Sequence, residues 1–224
     1  MAVVRRLTDV SVGSWLVDRL DRREDRFGTA GSVVPSGFAR VVRVLHPVGT
    51  DGATWAAVAA RTGRTMHPLV QWRSIADHVV DGRSGDIDPE EGSIPAATLE
   101  IVLRHCPARG DVVHGVWSGF GWVDPPDPLL VGNLRDYALF TGPRQAVTEW
   151  PGIAAPWDQS ANYVWPADRS WCVATEIDWD FTLVACDDDV ADALRADPVL
   201  ETYDVAVTDD LTWAGDRVNG PGRA

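Results

Sequence analysis

Residues 171–186 read WCVATEIDWDFTLVAC. Two apolar, β-branched runs, Trp171–Thr175 and Phe181–Cys186, read as strands. The polar piece between them carries Glu176, Asp178 and Asp180 at alternate positions. Two readings fit it. If the first strand continues, all three carboxylates point to one face, about 7 Å apart by strand rise. If residues 176–180 are instead the turn of a hairpin, the acids face water, since Asp is a usual turn residue. Downstream, Asp187 is placed to cap a helix over Asp188–Ala196, and Asp188 and Asp189 favour the positive end of its dipole. A last extended piece follows near Tyr203–Val207.

Upstream, Val112–Trp117 and Tyr137–Thr141 read as further strands, separated by Gly- and Pro-rich joints. Pro107 stops a helix whose inner face is Leu99, Val102, Leu103 and Cys106; Ser93 is placed to cap it and Pro95 to start it. Asp81–Ser93 is an acidic, turn-rich connection. Before it, the spacing predicts a helix near Trp72–Val79 and a short helix Trp55–Thr62, capped by Thr54 and ended by Gly63. An extended run Phe38–Leu45 and a helix over 11–23, with Ser11 as cap and Val12, Trp15, Leu16 and Leu20 inward, complete the chain. Helices and strands do not alternate regularly and no glycine-rich strand-to-helix turn is present, so a doubly wound nucleotide fold is not supported. The expectation is an α+β fold with a mainly antiparallel sheet and packed helices. It divides into a subdomain at 1–80, the acidic loop at 81–93 and a subdomain at 94–224, or forms one continuous domain.

Charge narrows the function. The 224 residues carry 33 acids against 20 bases, a net charge of −13, and every one of those bases is Arg. The tightest basic group, Arg19, Arg22, Arg23 and Arg26, alternates with Asp18, Asp21, Glu24 and Asp25, a solvated face and no nucleic-acid stripe. Nucleic acid and anionic membrane surfaces are therefore not expected partners, whereas a basic protein is. No apolar run approaches the roughly 20 residues of a spanning helix, and the opening MAVVRRLTDVSVG has no apolar signal core. Cys106, Cys172 and Cys186 are odd in number and scattered, which suits reduced, buried thiols in a cytoplasmic protein.

Candidate chemistry is sparse. Glu176, Asp178 and Asp180 on one face would suit Mg²⁺, Mn²⁺ or Ca²⁺, provided other groups close in. Asp168 or His114 would then be the general base. Asp168 and Arg169, between Trp165 and Trp171, read either as a buried clamp or as an anion site through Arg169. The histidines (His46, His67, His78, His105, His114) lack zinc-helix spacing and no GxSxG is present. The chain has 11 Trp. Trp117, Trp122, Trp165 and Trp171 lie near turns, where exposed rings would stack on a sugar or a partner; the alternative is a Trp-rich core.

Several stretches taken together resemble a family of uncharacterised actinobacterial proteins. They are RVLHPVGTDGATWAAVAARTGRTMHPLVQW at 43–72, GVWSGFGW at 115–122, RDYALFTGP at 135–143, VWPADRSWCVATEIDWDFTLV at 164–184 and DDLTWAGDRVN at 209–219. The resemblance implies a source and a cytoplasmic location and carries no activity, cofactor or catalytic residue. Where a paired glycine is expected after Val184, this chain has Ala185 and Cys186. Two functions follow from the residues: a non-catalytic, immunity-like accessory protein for a basic partner, or a divalent-metal-dependent hydrolase or lyase built on Glu176, Asp178 and Asp180. Sugar binding through tryptophan is a third.

Overall fold

The structure, a computed structural model, describes residues 4–49, 53–76, 88–120, 128–132, 135–148 and 159–220. Its strands are β1 (Arg5–Arg6), β2 (Arg40–Leu45), β3 (Asp111–Trp117), β4 (Leu130–Val131), β5 (Asp136–Pro143), β6 (Tyr163–Pro166), β7 (Cys172–Ala174), β8 (Phe181–Cys186) and β9 (Thr202–Val205). All belong to one sheet, ordered β1-β5-β3-β6-β7-β8-β2-β9, with β4 beside β5. Every pairing is antiparallel. The fold is α+β and dominated by this sheet. Strands from 1–80 and from 94–224 share it, and β2 lies between β8 and β9.

The period of two along each strand sorts the core into two layers. On one face Val41, Leu45, Leu139, Trp165, Cys172, Leu183 and Ala185 meet α1 (Ser14–Val17), α2 (Trp55–Thr62) and α3 (Trp72–Ala76). On the other, Val42, Val44, Val112, Val164, Val173 and Val184 meet α4 (Ala96–His105) and α5 (Asp188–Ala196). Because both faces are covered, β2 and β8 are buried almost throughout and read as continuous apolar runs. Each fully buried Val or Leu contributes about 1.5–3 kcal/mol. Among the described residues, no helix is long and apolar enough to cross a membrane.

Several local signals act as expected. Thr54 Oγ1 accepts from Ala57 N at 3.1 Å, and Gly63 ends α2 at φ 69°. Asp187 accepts from Val190 N at 2.9 Å. Others differ. The segment 11–23 forms only a 3₁₀ turn over Val10–Gly13 followed by α1, and its cap is Asp9, which accepts from Ser11 N at 2.9 Å. Trp15, Leu16 and Leu20 are still buried. Ser93 does not cap α4, which starts after Pro95; its hydroxyl accepts from Ser160 N, and the Ser160 hydroxyl accepts from Ile94 N. The helix from Trp72 is described to Ala76, and 77–80 lie outside the described residues.

Candidate functional site

β7 ends at Ala174, so the strand does not carry Glu176, Asp178 and Asp180 on one face. The hairpin-turn reading is the one that holds: Trp179 N donates to Glu176 O at 3.1 Å, closing a turn that joins β7 to β8. Side chains behind the turn hold it. The Thr175 and Thr182 hydroxyls are 2.7 Å apart, and Thr182 Oγ1 lies 2.9 Å from His46 Nε2. His46 Nδ1 is 2.6 Å from the Glu90 carbonyl. A carbonyl only accepts, so Nδ1 carries the proton and Nε2 accepts from Thr182. Burial pushes His46 down to about 4, keeping it neutral. Gly92, at φ 77°, presses the chain before α4 onto this turn; a Cβ there would stand 2.4 Å from Ile177 O.

The turn deals its acids to two sides. Toward β5, Arg135 grips Glu176 through Nε and Nη2 at 3.0 and 2.6 Å and Asp178 through Nη2 at 2.8 Å, with its guanidinium carbon 5.1 Å from the Trp117 ring. Two of the three proposed metal ligands are thus held by an arginine. Among the described residues, no group of three His, Cys, Asp or Glu is arranged to hold a metal ion.

Toward α3, Asp180 lines a cavity of about 260 Å³. Gln71, Trp72 and Arg73 form one wall, Asp178–Phe181 another, and Leu211–Trp213 a third, with Glu91 at the rim. Trp179 stacks on Phe181, 4.7 Å between centroids and 26° between planes. Trp213 is 66% exposed. Burial raises the Asp180 carboxyl to about 6; Glu91 adds to the rise, while Arg43 and Arg73 oppose it. A second cavity of about 140 Å³, lined by Leu20, Phe27, Tyr137 and Tyr163, shares Asp178, Trp179 and Thr212 with the first. Phe27 at its edge is 64% exposed.

The other expected site residues lie elsewhere. Asp168 and Arg169 are exposed on the turn between β6 and β7, at the far end of β7 from Asp180. They do not form a buried pair: Asp168 accepts from Ser170 N and Oγ, and the Arg169 guanidinium lies 5.4 Å from the Trp15 ring, its backbone at φ 57°. His114 is fully buried. It alternates with Val113, so it belongs to the α4/α5 face, opposite Tyr137 and Tyr163. Burial brings it down to about 4 although the Gly142 carbonyl accepts from it. It therefore reaches none of the acids of the turn.

Trp165 and Trp171 are core residues on opposite faces of the sheet and present no exposed ring. Trp171 Nε1 donates to Pro107 O at 2.6 Å. Trp117 is half-buried against Phe120, and Trp122 lies outside the described residues. The three cysteines are buried thiols. Desolvation raises all three, Cys186 to about 12, so none is a ready nucleophile. No pattern in the sequence joins the tryptophans that line the cavity, Trp72, Trp179 and Trp213, because they fall in three segments far apart.

A stability test follows from Asp180. Its folded value of about 6 exceeds the ordinary 3.8. The folded state therefore holds the proton more tightly, and stability falls as pH rises from about 4 to 6. A shift of this size corresponds to about 3 kcal/mol at most, and the solvent reaching the carboxylate reduces it. Asp180→Asn is expected to raise Tm at pH 7.5 by roughly 4–8 °C, for about 2 kcal/mol, and to change it little at pH 4. Thermal melts at the two pH values check this; a lower Tm at pH 7.5 would show that the carboxylate supports the fold.

No protein-family model matches this chain, and neither a curated protein nor a solved structure matches it.

Proposed function

We propose that this chain is a non-catalytic binding protein that docks a basic protein partner on the face formed by the 176–180 turn and the 209–213 segment. One observation carries the reading: two exposed aromatic side chains, Phe27 and Trp213, flank the paired cavities at the same acidic end of the sheet. Leu211 N donates to Gly28 O at 2.9 Å, which sets the Phe27 and Trp213 segments side by side. Large exposed aromatics beside pockets are the usual anchors of an interface, and the net charge of −13 favours encounter with a cation. The immunity-like form of the role, and a cytoplasmic setting, belong to the same proposal.

The test uses an arginine-rich peptide and a size-matched acidic peptide on the immobilised full chain at two salt concentrations. Only the basic peptide is expected to bind. A Phe27→Ser/Trp213→Ser double variant, which alters exposed positions and leaves the core intact, is expected to bind it at least about 10-fold more weakly, a loss of about 1.4 kcal/mol. Equal binding by the variant would reduce the interaction to unspecific charge attraction and overturn the reading.

A further inference from the structure

We propose that the cavity between α3 and the 176–180 turn is a receptor for a guanidinium group, with Asp180 as its counter-ion and the rings of Trp179 and Trp213 as its stacking surfaces. The inference deepens the docking role above and rests on it: the occupant is an arginine side chain of the basic partner.

The charges in the cavity single out Asp180. Glu91 is met by Arg73 at 3.9 Å, and Asp178 by Arg135 at 2.8 Å. Among the described residues Asp180 forms no ion pair. Arg43 does not satisfy it. That guanidinium is fully buried behind Phe181, its carbon 3.9 Å from the ring, and its Nη1 donates to the Pro68 and Val70 carbonyls at 2.9 and 2.8 Å. Arg43 and Arg73 act on Asp180 only through space, and a carboxylate kept partly out of water without a directly paired cation is a site whose occupant supplies the contact.

Size and shape choose the occupant. At about 260 Å³ the space falls below the roughly 300–1,000 Å³ of cofactor and drug-sized sites, and one long side chain suits it. The walls are flat. Trp179 lies stacked on Phe181, and Trp213 stands exposed at the mouth. A guanidinium is planar and weakly hydrated, stacks on aromatic faces and offers a carboxylate two parallel N–H donors, whereas an ammonium is a compact, strongly hydrated point charge. Arginine is therefore preferred over lysine here.

The groups around Asp180 also set how binding responds to pH: Arg43 from β2, Arg73 from α3, Glu91 from the segment before α4, and Asp178 from its own turn. Near pH 7 the carboxylate is ionised and the receptor competent. As pH falls through about 6 it takes up a proton and loses its claim on a cation.

The experiment follows the indole N–H signals of the ¹⁵N-labelled full chain during titration with acetyl-arginine-amide, acetyl-lysine-amide and the neutral isostere acetyl-citrulline-amide. The expected result is a saturable shift of the Trp72, Trp179 and Trp213 signals by the arginine probe, with Trp165 and Trp171 unmoved as internal controls. Citrulline is expected to bind at least about 10-fold more weakly, and lysine between the two. Asp180→Asn is expected to weaken the arginine probe about 10-fold at pH 7.5 and to erase the difference between pH 7.5 and pH 5. Trp213→Ala, at an exposed position, is expected to weaken it severalfold with an unchanged Tm. Equal binding of arginine and citrulline, or binding indifferent to Asp180→Asn, overturns the proposal. If the arginine-rich peptide binds through Phe27 and Trp213 while the Trp72 and Trp179 indoles stay unmoved, the receptor is overturned and the docking face stands. If no basic probe binds, both are overturned.

Discussion

Asp216→Ala is expected to cost about 4 kcal/mol and to lower Tm by roughly 8–16 °C. The carboxylate is buried, yet none of its capacity is idle. It accepts from His67 Nε2 at 2.8 Å, Gln71 N at 3.3 Å, Val218 N at 3.1 Å, and Asn219 N and Nδ2 at 2.9 and 3.0 Å, and also from the Ser74 hydroxyl. Alanine would leave several of these donors buried without an acceptor, at about 1–3 kcal/mol each before relaxation. These bonds tie the closing DRVN segment to the loop between α2 and α3. The same substitution should therefore open cleavage sites near 209–219 in limited proteolysis. Burial alone would raise the Asp216 carboxyl, but the donors from Ser74, Asn219 and His67 hold it well below the usual carboxylate range. Its contribution is then complete above about pH 4 and shrinks as pH falls below that, so wild type and variant should converge in acid. A variant that melts within 2 °C of the wild type at neutral pH, by any reckoning of scale about 0.5–1 kcal/mol, would refute the role.

Arg43→Ala is expected to cost about 3–5 kcal/mol in a denaturant titration, and Arg43→Met to stay within about 1 kcal/mol of the wild type. The contrast comes from what the arginine does. Its stem and guanidinium fill the core between Trp55 and Phe181, but its Nε and Nη2 have no acceptor among the described residues. Burial pulls its value down to about 10, against partial relief from Asp180 and Asp216. The fold thus penalises the charge at every pH below that value. Methionine keeps most of the volume and removes the unsatisfied donors; alanine leaves a cavity. An equal loss for both variants would mean that the bonds to the Pro68 and Val70 carbonyls outweigh packing.

The acids that drew attention in the sequence and the acid that matters most to the cavity overlap at one residue. Glu176, Asp178 and Asp180 form an alternating triplet, and alternation has meaning only along a strand. Once Trp179 N closes the turn on Glu176 O, the triplet is dealt to two sides of the sheet end. Arg135 then collects Glu176 and Asp178 across 41 and 43 residues of chain. Nothing in the spacing of 171–186 announces that arginine. The tryptophans teach the same lesson. Trp165 and Trp171 lie at the two ends of one turn and look equivalent in sequence, yet the sheet sends them to opposite cores. Trp213 sits in a polar stretch and becomes the exposed ring at the cavity mouth. His114 looked available as a base; its register in β3 puts it on the wrong side of the sheet, where burial also keeps it neutral.

What the amino-acid sequence determined is local. The α+β class, the strands read at 38–45, 112–117, 137–141 and 181–186, which the structure places at 40–45, 111–117, 136–143 and 181–186, the helix 188–196 with its Asp187 cap, and the Thr54 and Gly63 ends of α2 all follow from patterns a few residues long. They depend on hydrophobic period, on a single side-chain oxygen, or on one left-handed glycine. What only the tertiary structure decided is everything that joins distant segments: the strand order, the placing of β2 between β8 and β9, the Asp216 hub and the cavity around Asp180. Short strands such as β4 and β6 belong with these, since two or four residues form a strand only when a neighbour supplies the ladder. The physical reason is common to all of them. A hydrogen bond or a buried charge needs its partner in space, and a partner on another segment, whether a few residues away as for β4 or more than a hundred as for Asp216, leaves no periodic trace.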